Sequence, residues 1–308
     1  MTLHKEGRLR FSSGMPGRQL GFTLIELLIS MVLGLVIISA LVVVYASGSS
    51  ATRNAQAQGQ MNEDAQMALA VITQELRQAG YNPTRAGGAQ NDLAQSGWSL
   101  FACDTGFTNN TTAAVNALAC NATGDSSSLA VVFEGDLTTG KNTAGNLPMD
   151  CIGNGVAAAG GGGYYVMQSR LYIANNALNC NGSGNLAQSQ VLAENIESMS
   201  VLFAVTEPTV ANSKVVLGYL TANGINNPTD AGLTALTPLQ RWDKVVAARV
   251  CVVVMSEATV LRELGATATN PSYRNCNDTS VDITDGKLRR AYRTTVLLRN
   301  HGVGYVDT

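Results

Sequence analysis

The chain has 308 residues, of which 45% are hydrophobic and only 14% are charged. This length allows one large domain or two small ones. The formal net charge is −2 and no dense Lys/Arg cluster is present, which argues against nucleic acid as the main partner.

The N-terminal segment is predicted to be a cytoplasmic leader followed by a membrane-spanning helix. Residues 1–21 contain these charged side chains: Lys5, Glu6, Arg8, Arg10 and Arg18. An excess of positive charge keeps a flanking segment in the cytoplasm, so the chain is predicted to point outward. Residues 27–46 contain no charge, and as a helix they would span about 30 Å, the thickness of a hydrocarbon core.

One carboxylate, Glu26, stands at the start of this apolar run. A charge at the centre of a membrane helix costs about 2.5 to 3.5 kcal/mol, so Glu26 is expected near the interface or in a pair. Cleavage after the small residue Gly21 would give Phe22 a free amine, four residues before Glu26. Residues four apart share a helix face, so amine and carboxylate are predicted to form a charge pair at the membrane edge.

Two other interpretations of this segment stay open. An ordinary secretory signal would be cut after Val44-Tyr45-Ala46, although its apolar region should be shorter and lack an acid. A plain single-pass anchor with a stray Glu26 is the other. Neither explains glycine, phenylalanine and glutamate at these spacings.

The helix is predicted to continue beyond the membrane, over residues 47–80. Apolar side chains recur there at three- and four-residue steps, at Met61, Ala65, Ala68, Leu69, Ile72, Leu76 and Ala79. Gly80 and then Pro83 are predicted to end this helix.

Residues 81–308, called the head below, are predicted to form a β-rich domain with long loops. The candidate strands are 128–134, 164–173, 196–205, 214–220, 244–255 and 290–299. Within the fifth, Val246, Ala248, Val250, Val252 and Val254 form one apolar face. The predicted fold class is therefore α+β, with an antiparallel sheet packed on the second half of the long helix.

Six cysteines follow the membrane segment: Cys103, Cys120, Cys151, Cys180, Cys251 and Cys276. An even count in an exported domain favours disulfides over metal or redox chemistry. Neighbouring pairs are the expected choice because each brackets a polar or Gly/Asn-rich loop, although 15 pairings exist. Cys251 lies within a strand pattern and is alternatively a buried free thiol.

The sequence carries little material for catalysis. The only histidines are His4, in the leader, and His301, which is expected to be a solvated tail residue. Residues 282–286 resemble part of a calcium loop but are predicted to be a turn. The basic residues between 287 and 299 are expected to be solvated and to protect a sheet edge. No enzyme activity, metal or cofactor is predicted.

Residues 21–37 (GFTLIELLISMVLGLVI) resemble the class III signal of type IV pilins and type II secretion pseudopilins. In that family a membrane aspartyl peptidase cuts after the glycine and methylates the new N-terminal phenylalanine. The resemblance therefore implies cleavage after Gly21 and methylation of Phe22. It also implies that Glu26 pairs with the terminal amine of another subunit as a filament grows.

Several phrases of the helix end and head are similar to PilW-type minor pilins. They are LRQAGY at 76–81, ENIESM at 194–199, VVAARV at 245–250 and YRTTVLLRN at 292–300. That family is the pilus counterpart of the J-type pseudopilin of type II secretion. The resemblance implies the type IV pilin fold, with a long N-terminal helix packed on an antiparallel sheet.

The function implied by the resemblance is that of a minor pilin that helps to initiate type IV pili and is built into them, supporting adhesion or twitching motility. The alternative is a type II secretion minor pseudopilin. Implied partners are other minor pilins, the major pilin, a prepilin peptidase, the inner membrane and a tip adhesin. The implied organisation is a cleaved leader (1–21), a membrane or filament-core helix (22–46), its amphipathic continuation (47–80) and a head (81–308) first periplasmic, then on the pilus.

Overall fold

A computed structural model describes residues 21–83, 97–111, 114–135, 145–159, 164–210, 213, 215–261 and 271–301. The basic residues of the leader lie outside the described residues. The chain divides into two compact units, Met1–Ala51 and Thr52–Thr308.

The first element is helix α1, Leu24–Gln78. In the unit Thr52–Thr308 the predicted apolar stripe of α1 is buried, with Ile72 and Leu76 fully inaccessible; Leu69 is half-buried. The helix ends as predicted at Gly80, which has a φ of +73°. This left-handed conformation suits glycine, and its N–H donates to the carbonyl oxygen of Val132 at 2.9 Å.

The first sheet is antiparallel and has its strands in sequence order. Its strands are β1 Leu100–Cys103, β2 Ser128–Gly135, β3 Tyr165–Ala174, β4 Ala177–Gly182 and β5 Gln190–Ala193. Only β2 and β3 were predicted. Strand β4 is buried along its whole length although it contains Asn179 and Asn181. Their side-chain nitrogens donate to the carbonyl oxygens of Ala177 and Leu186, so these buried donors are paired within the chain.

The second sheet has the order β11-β8-β6-β7 and is also antiparallel. Its strands are β6 Ile196–Thr206, β7 Val216–Thr221, β8 Val245–Met255 and β11 Arg289–Leu297. All four were predicted to within two residues. Strands β9 Ser272–Arg274 and β10 Ser280–Asp282 form a separate hairpin between β8 and β11.

Short helices connect the strands. Residues Val115–Ala117 form a 3-10 turn, and α2 Ala222–Asn226, α3 Ala231–Thr234 and α4 Pro238–Asp243 lie between β7 and β8. Helix α4 begins with a capping box between Thr237 and Gln240 and places Trp242 in the core, against Phe203. A single apolar cluster joins this region, both sheets and the second half of α1.

The α+β fold class is confirmed, but the strands form two main sheets rather than the one expected. The division falls between β5 and β6, which are separated only by Glu194 and Asn195. Asn195 has a φ of +60° and its amide donates to Asp64 of α1 at 2.8 Å. Asn tolerates the left-handed conformation, so the chain turns here from one sheet into the next. Alternating polarity identifies a strand and carries no information about which sheet it joins.

Candidate functional site

The start of α1 holds the predicted assembly residues Gly21, Phe22 and Glu26. Thr23 precedes the first helical residue, and its hydroxyl accepts the Glu26 N–H at 3.3 Å. The Thr23 N–H and the Thr23 hydroxyl both donate to Glu26 Oε2, each at 3.0 Å. This arrangement is a capping box, in which Thr and Glu three residues apart satisfy N–H groups that a helix start leaves free.

The capping box gives Glu26 a partner within its own chain. The sequence signal for this capping box is the Thr-x-x-Glu spacing of Thr23 and Glu26. In this uncleaved chain the nitrogen of Phe22 is an amide, so there is no terminal amine for Glu26 to bind. The pairing of Glu26 with a Phe22 amine therefore stays a prediction about the processed subunit.

The apolar part of α1 in the unit Met1–Ala51 has no covering side chains. Every large apolar side chain from Phe22 to Tyr45 is at least 54% exposed. The hydroxyls of Ser30 and Ser39 donate to the carbonyl oxygens of Leu27 and Val36, at 2.9 and 2.8 Å. These polar groups are thus satisfied along the helix itself, as a lipid or apolar surrounding requires. By length and composition α1 is a candidate membrane span.

Gly21 lies three residues before Leu24, the first residue of α1. A Cβ added at Gly21 would meet no atom within 4 Å. The fold of this chain therefore does not itself demand glycine at this position. A requirement for a small residue would come from an enzyme that binds the peptide around it.

The six cysteines lie in the unit Thr52–Thr308 and form three disulfides. They are Cys103–Cys120, Cys151–Cys180 and Cys251–Cys276, with sequence separations of 17, 29 and 25 residues. Each joins a strand of one of the two main sheets to a loop or turn. Cys251, alternatively considered a free thiol, is bonded to the turn of the β9/β10 hairpin.

One basic residue of β11, Arg289, is less solvated than expected, whereas Arg290 and Arg293 are exposed as predicted. The Arg289 side chain is only 12% exposed and lies between Glu197 and Asp285, at 2.9 and 2.7 Å. The guanidinium donates from Nη1 and Nη2 to the two oxygens of Asp285, in the two-pronged manner that strengthens such pairs, and from Nε to both oxygens of Glu197. These hydrogen bonds hold the pKa of Asp285 well below its usual range. The expectation of a solvated edge was wrong for Arg289 because Glu197 lies on β6, beyond β8 in the same sheet, and Asp285 lies on the loop before β11.

The prediction that His301 is a solvated tail residue was also wrong, because its side chain is buried. Its ring packs on Gly80 at the end of α1, so that a Cβ at Gly80 would lie 3.1 Å from the imidazole Cδ2. The preceding Asn300 donates from its amide to the carbonyl oxygens of Arg77 and Ala79. Loss of solvent lowers the His301 pKa to about 4, and the backbones of Trp242 and Val245 offset part of this effect.

The second half of α1 is thus fixed at both ends by polar contacts. Near residue 60 these are Asn62 with Tyr292, Asp64 with Asn195 and Gln60 with Glu257. At the other end Asn300 binds the free carbonyl groups of the last turn. None of these anchors was predicted, because a side chain's polarity alone does not identify a partner more than a hundred residues away.

The described part of the chain contains no group of three or more His, Cys, Asp or Glu side chains arranged to hold a metal. The features that the structure does show are a capped helix start, an exposed apolar helix and three disulfides in the head.

Two models of known protein families match parts of this chain. Residues 158–300 match the family described as Type IV Pilus-assembly protein W, and residues 16–42 match the prokaryotic N-terminal methylation motif. No curated protein matches the chain.

Two solved structures are similar to this chain at low sequence identity. A type IV-like pilin from Thermus thermophilus has 10% identity and a TM-score of 0.34, covering 79% of this chain and 98% of its own. The GspK-GspI-GspJ complex of the type 2 secretion system of enterotoxigenic Escherichia coli has 12% identity and a TM-score of 0.31, covering 78% and 98%.

The match to the methylation motif contains Gly21, Phe22 and Glu26 and extends into the exposed part of α1. The match to the PilW model includes the strands from β3 to β11. Over residues 158–300 the chain is thus similar to the PilW family, and over residues 16–42 to the methylated N-terminal segment of prokaryotic proteins.

Proposed function

We propose that this chain is a minor pilin that takes part in initiating a type IV pilus and is built into it. One observation carries the proposal: every large apolar side chain from Phe22 to Tyr45 is exposed, although the second half of the same helix is buried in the head. An apolar helix surface of this size requires an apolar surrounding. Lipid supplies it before assembly, and the helices of neighbouring subunits supply it afterwards.

The proposed work of the chain is mechanical. The prepilin peptidase removes residues 1–21 and methylates Phe22, which leaves an amine beside the capping box. Glu26 then exchanges its bonds with Thr23 for the amine of its own or an adjoining subunit. A carboxylate in an apolar surrounding is costly unless it is paired, so this pairing sets the position of one helix against the next.

The same proposal fixes the organisation and partners of the subunit. Residues 22–46 anchor it in the inner membrane, residues 47–80 continue the helix, and residues 81–308 form a head exposed first to the periplasm and then on the pilus. Its direct partners are the other minor pilins, with the major pilin below and a tip adhesin above.

A gene deletion tests this role against the alternative of a type II secretion pseudopilin. Surface pili and protein secretion are measured in the same strain. We expect pili to be lost and secretion to be unchanged. Lost secretion with normal pili would identify the pseudopilin role, and two normal phenotypes would refute both.

Processing is tested at Gly21. Because Gly21 lies in open space, Gly21→Leu should fold normally but block the peptidase. Mass spectrometry of the membrane fraction should then show the precursor, heavier by residues 1–21. Normal cleavage of Gly21→Leu would contradict the assignment.

Charge and capping at Glu26 are separable. Glu26→Val removes both, whereas Glu26→Gln retains a capping-box side chain and removes the charge. If charge pairing aligns the subunits, both variants should be processed but should fail to co-purify with the other minor pilins and to support pili. If Glu26→Gln assembles like the wild type, the carboxylate acts through the cap alone.

A further inference from the structure

The second sheet has an inner face in the core and an outer face directed away from it. Phe203, Ala248 and Val250 belong to the core, so the residues that alternate with them along β6 and β8 lie on the outer face. Strand pairing places two adjacent rows of side chains on the outer face. One row is Thr221, Leu202, Arg249 and Thr295, and the next is Tyr219, Ala204, Ala247 and Leu297. These two rows are called the open face below.

The open face is apolar around a single cation. Leu297 is 62% exposed and Tyr219 is 37% exposed, and the small residues Ala204 and Ala247 are buried between them. The guanidinium carbon of Arg249 lies 4.1 Å from the centre of the Tyr219 ring, in a cation–π contact. Because β6 separates β8 from β7, the Arg249 side chain extends across β6 and its charge lies beside the apolar row. The head thus exposes an apolar surface with one positive charge held at a defined place.

The β9/β10 hairpin of the same chain covers the neighbouring part of the outer face. Cys251, two residues after Arg249 on β8, is joined to Cys276 in the turn of this hairpin. Arg293 pairs with Cys251 across β11 and β8, and its guanidinium is 2.7 Å from the carboxylate of Asp278 in the same turn. Where the outer face is covered, its arginine is therefore paired with an acid.

Arg249 has no such acid. None of the ion pairs among the described residues includes it, and no Asp or Glu belongs to the open face. An arginine binds through the plane of its guanidinium, which stacks on rings, and through its N–H groups, which favour carboxylates. Tyr219 occupies the plane of Arg249. A carboxylate for its N–H groups has to come from elsewhere.

These features restrict what the open face can bind. It is an open sheet surface, unlike the concave sites that enclose small molecules. A single cation gives little attraction to phospholipid or nucleic acid, which are bound by clusters of basic residues. A second copy docked by the same face would oppose Arg249 with Arg249. A protein surface that carries a carboxylate among apolar side chains complements both the charge and the apolar row.

Addition of a strand to the free edge of β7 is a different mode of binding and is disfavoured. Gly218 pairs with Val205 and Val216 pairs with Thr206, so Leu217 is the extra residue of a bulge in β7. A bulge at an edge disrupts the ladder that a new strand would extend. Binding is therefore expected through the side chains of the open face.

We propose that the open face binds another protein, which presents a carboxylate to the guanidinium of Arg249 and apolar side chains to Tyr219 and Leu297. This contact lies in the head, and it does not depend on the exposed apolar half of α1. The proposal goes beyond the pilus role and stands whether the chain serves in a pilus or in secretion.

The contact is tested by photo-cross-linking of the full chain in cells. Benzoylphenylalanine replaces Leu297 on the open face or, as a control, Val191 on β5, which is 45% exposed in the first sheet. We expect the probe at Leu297, and not the probe at Val191, to join one other protein, at a site within a few residues of an Asp or Glu. A product with lipid, a product of two copies of this chain, or no product beyond that of Val191 would overturn the proposal.

The charge is tested by reversal within the same cross-linking experiment. Arg249→Glu should lower the yield at Leu297 roughly tenfold or more, because it replaces attraction of the partner's acid by repulsion. Arg290→Glu makes the same charge change at an exposed position on the opposite face of β11 and should leave the yield unchanged. Replacing the mapped acid of the partner by arginine should restore the yield with Arg249→Glu. An unchanged yield with Arg249→Glu, or no restoration by the exchanged charges, would overturn the proposal.

Folding of the variant is measured separately. Arg249 is exposed, so Arg249→Glu should unfold in an uncharged detergent at nearly the same denaturant concentration as the wild type, followed by the fluorescence of Trp98 and Trp242. If Arg249→Glu unfolds earlier, Arg249→Gln takes its place, since it removes the cation without adding a charge. A folded Arg249→Gln that cross-links as well as the wild type would equally overturn the proposal.

Discussion

The two halves of helix α1 differ in the pattern and in the exposure of their apolar side chains. From residue 61 to 79 apolar positions recur at helical spacing, and Ile72 and Leu76 are inaccessible within the head. From Phe22 to Tyr45 apolar residues surround the helix, and all the large ones are exposed. The second half packs within the same chain, whereas the first half is exposed and, in the proposed function, contacts lipid or other subunits. Periodicity, rather than overall hydrophobicity, therefore distinguishes an intramolecular surface from an intermolecular one.

The sharpest test of this comparison is a pair of leucine truncations, one in each half. Leu76→Ala should destabilise the head by about 2 to 5 kcal/mol, because it leaves a cavity in a close-packed core. Leu33→Ala, on the exposed half, should leave head stability unchanged. Denaturant unfolding in detergent can be followed by the fluorescence of Trp98 and Trp242, which are both buried in the head.

Similar losses from both leucine variants would show that the two halves do not differ in this way. When assembly is measured instead of stability, Leu33→Ala should have the larger effect of the two variants. It removes part of the surface that is proposed to pack against other subunits, so co-purification with the minor pilins should decrease although the head is as stable as in the wild type.

His301 sharpens the comparison at the point where α1 ends against the head. Its pKa falls from 6.5 to about 4 on folding, so between those values the unfolded chain binds more protons than the folded chain. Stability contributed by the neutral imidazole is therefore complete above about pH 6.5 and is lost as the pH falls toward 4, by about 3 kcal/mol in total.

The measurement is the free energy of unfolding of the wild type and of His301→Gln between pH 7 and pH 4.5. The glutamine side chain does not titrate, so the difference between the two proteins removes the contribution of Asp and Glu residues. We expect the wild type to lose more stability than the variant over this range. Parallel curves would mean that His301 is accessible to water, contrary to its packing on Gly80.

Much of the fold follows from the sequence because its signals are local. The apolar spacing of α1, its stop at Gly80 and the continuous valine face of β8 depend on residues a few positions apart. Strands β1, β4 and β5 were missed for a physical reason: β1 and β5 are four residues long, and β4 buries asparagines whose partners lie in the surrounding backbone. Secondary structure there is set by tertiary context.

The candidate site also has features that the sequence predicts and features that it does not. Gly21, Phe22 and Glu26 were recognisable because their spacing is itself the signal. The anchors Asn300 and His301 contact residues more than two hundred positions earlier in the chain, so no spacing in the sequence reveals them. The Arg289 pairs with Glu197 and Asp285 show the same limit, since a basic strand residue has the same appearance in sequence whether it is solvated or paired.

The smallest expected effect concerns the capping box that begins the exposed half. Thr23→Ala removes the hydroxyl that accepts the Glu26 N–H and donates to its carboxylate, and loss of such a cap costs about 1 kcal/mol. Because the cap acts only on the first turn, the amide of Glu26 should exchange with solvent roughly fivefold faster in detergent. Thr23→Ser retains a capping hydroxyl, so its Glu26 amide should exchange as in the wild type.

The unfolding of the head should be the same in all three proteins, since Thr23 belongs to the exposed half of α1. Slower or unchanged exchange in Thr23→Ala would show that the first turn is held by something other than the Thr23–Glu26 cap, and altered head stability would show that the two halves are coupled.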